Sequence, residues 1–188
     1  MPTDMPPVFL EPANGLGIPE EVLLSRGLPR YAEAAILQLA ETRRDGRPRL
    51  LLPAAATAWQ ALRQAALDDG IELFIVSAFR SIARQEEIFR SKRAAGLSLD
   101  EILTVSAPPG YSEHHSGRAI DLSTPGCRSL TTDFELTPAF AWLQKRAGDF
   151  GFYLSFPRDN ARGYLHEPWH WCFTAANAAP TLSSPPTA

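Results

Sequence analysis

The sequence predicts an α+β domain, with a small, mainly antiparallel sheet flanked by helices. Three observations predict it. Segments with helical spacing and segments with strand character both occur, without regular βαβ alternation. The strand segments are short and bounded by Gly, Pro and Ser. The chain has 188 residues, 45% apolar and 21% charged, which supplies one sizeable core within the size range of a single domain.

The elements follow in order. Residues 1–28 are expected to form an irregular arm, because residues 1–19 hold five prolines and little pattern. The spacing of Tyr31, Ala35, Leu39 and Thr42 predicts a helix over 29–46, with Pro29 in its first turn and Gly46 ending it. A second helix over 57–70 puts Trp59, Leu62 and Ala66 on its inner stripe and stops at Gly70. "IELFIV" (71–76) is rich in branched residues and reads as a buried strand. A third helix over 81–96 aligns Ile82, Gln85 and Phe89, and a short helix in "SLDEIL" breaks at Pro108-Pro109-Gly110. "RAIDLS" (118–123) alternates as a strand. Thr137 caps a helix over 137–151, with Pro138 at its first position and Phe140, Leu143 and Ala147 facing inward. "FYLSFP" (152–157) and "PWHWCFT" (168–174) complete the strands. Residues 29–174 are expected to be one domain, and the Pro/Ser/Ala-rich stretch 175–188 a flexible tail.

The net charge of −3 leaves no basic face for nucleic acid, so no nucleic-acid partner is expected. No run approaches the roughly 20 apolar residues of a membrane span. The N-terminus lacks the pattern of a secretory leader. The chain is therefore expected to be cytoplasmic if full length, or periplasmic if a leader has been removed. A monomer is expected. Cys127 and Cys172 are too few for a disulfide framework and read as two ordinary, partly buried thiols.

Two short stretches carry chemistry. "YSEHHSGRAID" (111–121) gathers Glu113, His114, His115 and Asp121, and "HEPWHW" (166–171) adds His166, Glu167 and His170. A catalytic zinc takes three protein ligands from His, Asp, Glu or Cys and keeps one open position. His114 in a turn-rich loop and Asp121 in the next strand offer one nitrogen and one oxygen; Gly117 lets the chain turn between them, and Ala119 leaves room. The third ligand has to come from elsewhere. His170 lies on a strand between Trp169 and Trp171, which would anchor it. Glu167 stands three residues earlier, and positions three apart on a regular strand face opposite sides. Glu167 therefore belongs to the incoming loop, redirected by Pro168, where it is placed to act as a general base.

"SEHHSGRAID" fits S-x-H-x-x-G-x-A-x-D at Ser112, His114, Gly117, Ala119 and Asp121, and "EPWH" supplies E-x-W-H through Glu167, Trp169 and His170. "SAFRS" (77–81) followed by Gln85 resembles an upstream S-x-[YF]-R-S…Q element. Over about residues 50–174 these motifs resemble the VanY-type D-alanyl-D-alanine carboxypeptidases, including LD-carboxypeptidases of the same fold. The resemblance implies the hedgehog/DD-peptidase fold and Zn2+ on His114, Asp121 and His170, with Glu167 as base. It implies peptidoglycan stem peptides or muropeptides as the binding partner and loss of a terminal D-alanine as the reaction.

Arg80, at the mouth of a helix N-terminus, is expected to grip the substrate carboxylate and to help stabilise the oxyanion. Gln85 and Ser112 are expected to assist it. His115 becomes a bystander facing away from the metal, and His166 an exposed loop histidine. Phe156 and Cys172 depart from the family pattern, where Tyr and Arg are common, which bears on substrate preference. Two alternatives share the motifs: an L-alanyl-D-glutamate endopeptidase, which does not need a free carboxylate, and a non-catalytic wall-binding module.

Overall fold

A four-stranded antiparallel sheet frames the molecule. The structure is a computed structural model and describes residues 14–43 and 46–174. The strands of the sheet are β3 (Phe74–Ser77), β4 (Ala119–Ser123), β5 (Phe152–Leu154) and β6 (His170–Phe173), in the order β3-β4-β6-β5. A separate hairpin pairs β1 (Gln38–Thr42) with β2 (Pro48–Leu51). The helices are α1 (Glu20–Ser25), α2 (Pro53–Asp68), α3 (Ile82–Ala94), α4 (Leu99–Val105) and α5 (Pro138–Arg146). Among the described residues, no helix is long and apolar enough to cross a membrane.

Strand periodicity divides the sheet into a core face and a polar face. Ile120 and Leu122 of β4 and Trp171 and Phe173 of β6 join the main core with Ile75 and Phe152. Asp121 and His170 take the opposite parity. Against the core face lie Trp59, Leu62 and Ala66 of α2 and Phe140 and Leu143 of α5. Trp59 and Leu62 are fully buried, each side chain contributing roughly 1.5–3 kcal/mol on burial.

The predicted helical stripes of α2 and α5 are buried, as are Gln85 and Phe89 of the α3 stripe, while Ile82 is half-buried; α2 begins at Pro53, four residues before its expected start. Proline is tolerated in the first turn, where its missing N–H has no intrahelical partner. Ser81 caps α3 by accepting from Arg84 N, Ser98 and Glu101 form a capping box at α4, and Thr137 caps α5.

Residues 29–42 differ from expectation. They form no helix but an extended strap that leads into β1. The strap's N–H groups are taken by a distant loop: Tyr31 N donates to Gly110 O and Ala34 N to His115 O, both at 2.8 Å. The proposed inner stripe is not an inner face, since Leu39 is 53% exposed. Asp45-Gly46, which reads as a helix stop, is also a hairpin signal. Gly46 N donates to Arg43 O as the chain reverses into β2.

The arm differs as well. Residues 14–28 hold a 3-10 turn (Asn14–Leu16) and α1. Ile18 and Leu23 are buried there with Phe89, Ile102 and Leu103 in a second apolar cluster. Apolar residues among the prolines were enough to fold it onto α3 and α4. The segments 1–13 and 175–188, expected to be irregular, lie outside the described residues.

Gly117 leaves no room for a side chain where the metal turn meets the strap and the start of α2. Its φ is +66°, and a Cβ there would lie 2.9 Å from Leu52 N and 3.2 Å from Ala34 Cβ. Gly117→Ala therefore combines a left-handed backbone with a clash against main chain, and is expected to destabilise by about 2–4 kcal/mol. Urea unfolding of the metal-free variant measures this. An unchanged midpoint would contradict the packing described.

Candidate metal centre

His114, Asp121 and His170 converge from two strands and a turn. The β4–β6 pairing sets Asp121 directly opposite His170. His114 sits in a 3-10 turn, Glu113–Ser116, that leads through Gly117 into β4. All three side chains are buried, and one ligand atom from each lies within 4.8 Å of the others.

The donor set fits a small divalent ion. His114 Nε2 lies 3.2 Å from Asp121 Oδ2, and His170 Nδ1 lies 3.0 Å from Asp121 Oδ1. Tetrahedral ligands about 2.1 Å from zinc would stand roughly 3.4 Å apart. The outer nitrogen of each imidazole is engaged: His114 Nδ1 donates to Ala78 O at 2.7 Å, and His170 Nε2 lies 3.0 Å from Glu113 Oε2. Such outer contacts fix the ring and its tautomer, so that the remaining lone pair faces the ion.

The loop carrying Arg80 is stitched to the metal turn. Arg80 N donates to His114 O at 3.2 Å, and His115 Nδ1 donates to Arg80 O at 2.6 Å. His115 Nε2 accepts from Gly110 N at 3.1 Å, which fixes the neutral tautomer. His115 is not part of the His-Asp-His group; it is a fully buried strut between two loops, a role visible only in three dimensions.

Arg80 points into the site. Its Nη1 donates to Gln85 Oε1 and its Nη2 to Ser77 Oγ, both at 2.9 Å, and Nη2 lies 3.8 Å from Asp121 Oδ2. Gln85 is buried and spends its amide N–H on Ala107 O at 2.7 Å, so it braces Arg80 from behind. Ser112 is buried at the head of the metal turn, and its hydroxyl makes no capping bond.

Glu167 lies in the loop before β6, where Glu167 N donates to Phe156 O and His170 N to Glu167 O, both at 3.0 Å. Its Oε2 stands 3.9 Å from His170 Nδ1. Leu165 N to Thr104 O at 2.9 Å and Arg26 Nε to Arg162 O at 2.8 Å hold this loop against α4 and α1. The Phe156 ring packs on His170 with centroids 4.7 Å apart. His166, expected to be exposed, has a side chain only 9% exposed. It sits near Phe156 O and Glu135, because the loop folds back on the 3-10 segment at Thr132–Leu136.

Burial and charge set the protonation pattern. Burial opposes charge on His170, but its hydrogen bonds to Asp121 and Glu113 outweigh this and push its pKa up to about 10. Burial likewise favours a neutral Asp121, yet the two imidazoles hold it far below the usual carboxylate range. Burial lowers His114 and keeps it neutral. Burial pushes the Glu167 carboxyl up to about 7. Both cysteines are unpaired, and burial pushes the Cys172 thiol up.

Comparisons with known proteins identify the family. Residues 48–176 match the family described as VanY, D-alanyl-D-alanine carboxypeptidase. The chain belongs to that family. YodJ of Bacillus subtilis (strain 168), a protein bearing a carboxypeptidase name, is 34% identical over 139 residues, covering 68% of this chain and 48% of YodJ. The chain thus spans about half the length of the curated relatives it matches. The LD-carboxypeptidase LdcB superposes with a TM-score of 0.63 at 28% identity, covering 79% of this chain and 67% of that one. The vancomycin-resistance D,D-pentapeptidase VanY of a VanB-type cassette, solved as a mutant with Zn(II), superposes with a TM-score of 0.60 at 26% identity, covering 81% and 89%. The same enzyme has been solved with D-alanine-D-alanine. The fold is the hedgehog-like peptidase fold of these neighbours.

Without metal, His170 carries two protons at pH 8, because its pKa of about 10 lies above that pH. A metal needs the Nδ1 lone pair, so uptake has to release this proton, and affinity rises with pH up to about 10. Calorimetric titration with a divalent ion at pH 8, in two buffers of different ionisation heat, is expected to show proton release to the buffer. Identical heats in the two buffers would contradict the assignment.

Proposed function

We propose that the chain is a zinc-dependent carboxypeptidase of the DD or LD type, releasing the terminal D-alanine from peptidoglycan stem peptides. The observation that carries this reading is the placement of Arg80. A guanidinium braced by Gln85 and Ser77 stands beside the His-Asp-His cluster, near the half-buried Glu167. Its two bonds use two of five N–H donors, so the planar fork keeps capacity for a carboxylate. A free C-terminus gripped there puts the last peptide bond at the metal and at Glu167. The named activities of LdcB and VanY support the substrate class.

His114, Asp121 and His170 would hold the zinc, which supplies Lewis-acid polarisation of the scissile carbonyl and of its water. Glu167 accepts a proton from the attacking water and passes it to the amine of the departing D-alanine. Burial with a pKa near neutrality suits both transfers. Arg80 orients the leaving residue through its carboxylate, and the bracing by Gln85 limits the rotamers the guanidinium loses on binding. Ser112, buried beside the ligand turn, offers a hydroxyl to the same carboxylate. Phe156 gives the pocket an aromatic wall over His170 without a hydroxyl.

Defined tetrapeptide and pentapeptide muropeptides, with products read by mass spectrometry, test the reading. Loss of one alanine from either supports it, and cleavage within the stem or none at all overturns it. Glu167→Gln is expected to keep zinc while kcat falls by about 10²–10⁴. Arg80→Ala is expected to lower kcat/KM by about 10² on free-acid peptides, and the two enzymes should be alike on C-terminally amidated ones. An equal loss on both substrates would show that Arg80 does not hold the carboxylate.

A further inference from the structure

Glu113 has no part in the chemistry above, yet it is a buried carboxylate with three side-chain partners beside the cluster. Its side chain is 3% exposed. Oε2 accepts from His170 Nε2 at 3.0 Å and from Ser155 Oγ at 2.6 Å, and Oε1 accepts from Tyr31 Oη at 3.4 Å. Tyr31 Oη in turn accepts from Arg162 Nη1 at 3.5 Å. Tyr31 comes from the strap, which precedes the residues that match the family, and Ser155 follows the end of β5.

An ionised carboxylate only accepts hydrogen bonds, so its three neighbours must all donate to it. That forces a proton onto His170 Nε2. The alternative tautomer, with its single proton on Nδ1, would donate to Asp121 Oδ1 at 3.0 Å. It would be well bonded and would occupy the lone pair a metal needs. Asp121 alone therefore does not favour the binding tautomer. His114 meets no such competition, because Ala78 O takes its Nδ1 proton and leaves Nε2 for the ion.

We propose that Glu113 is a positioning residue that selects the Nε2–H tautomer of His170 and thereby tightens metal binding at the cluster. This rests on reading the cluster as a metal site. Ser155 and Tyr31 hold the carboxylate in line, and the strap takes part in the site through Tyr31. A carboxylate behind one ligand and a backbone carbonyl behind the other make His170 the more basic of the two imidazoles.

Zinc affinity, measured by competition with a chromophoric chelator on the full chain, tests the proposal. Glu113→Ala is expected to bind zinc about 10- to 100-fold more weakly than wild type. Glu113→Gln, whose amide oxygen can still accept from Nε2–H, is expected to recover part of that loss. A defect of packing alone would not sort the two variants this way. Nitrogen-15 NMR of the zinc-loaded wild type needs no variant: it should show His170 with a proton on Nε2 and the metal on Nδ1. Glu113→Ala binding as tightly as wild type overturns the role of Glu113 alone, whereas a proton on Nδ1 of the zinc-loaded His170 overturns both that role and the Nδ1 ligand. Wild type that takes up no zinc overturns the metal reading itself.

Discussion

The register between β4 and β6 is the constraint on which the site depends. Asp121 stands opposite His170, with Ile120 opposite Trp171 and Ala119 opposite Cys172. A slip of one residue would send the ligands into the core and the core residues into the site. The other face prevents it, because Ile120, Leu122, Trp171 and Phe173 are buried against α2 and α5. Leu122 N to Trp169 O at 2.9 Å extends the ladder toward Glu167. The hydrophobic core thus sets the spacing of groups that never touch it. On its other side Asp121 pairs with Ser77 of β3, and Ser77 holds Arg80.

Charge completes what packing begins. Two carboxylates, Asp121 and Glu113, stay ionised although both are buried. A buried carboxylate without a cation is strongly unfavourable. In the metal-free chain the extra proton on His170 serves as that cation, bridging the two carboxylates. An ion at the cluster takes over this role and displaces the proton. Glu167 lacks a comparable partner, and its raised pKa follows from burial. One small volume therefore holds carboxylates fixed in the charged form and one poised to exchange a proton, distinguished by their neighbours.

Much of this was legible in the sequence. The spacing of His114 and Asp121, the strand character around His170 and the stripe Trp59–Leu62–Ala66 all rest on local period, and local period survives folding. The strap over 29–37 was not legible. Its apolar spacing suits a helix, but its N–H groups are claimed by Gly110 and His115, some 80 residues on. Glu113 was visible as a carboxylate beside a ligand. What it does depends on Tyr31, Ser155 and His170, which are 82, 42 and 57 residues away. His115 was likewise a neighbour in sequence whose buried strut function required the fold. Neither Gln85 bracing Arg80 nor His166 turning inward had a local signal.

The convergence of two imidazoles and one carboxylate on a single ion can be seen directly. A crystal structure of the zinc-soaked chain, with anomalous data collected on both sides of the zinc edge, would locate it. The account predicts one zinc about 2.0–2.2 Å from His114 Nε2, from a carboxylate oxygen of Asp121 and from His170 Nδ1, with Glu167 outside the ligand set. Zinc at His115 or His166, or bound through His170 Nε2, would contradict it.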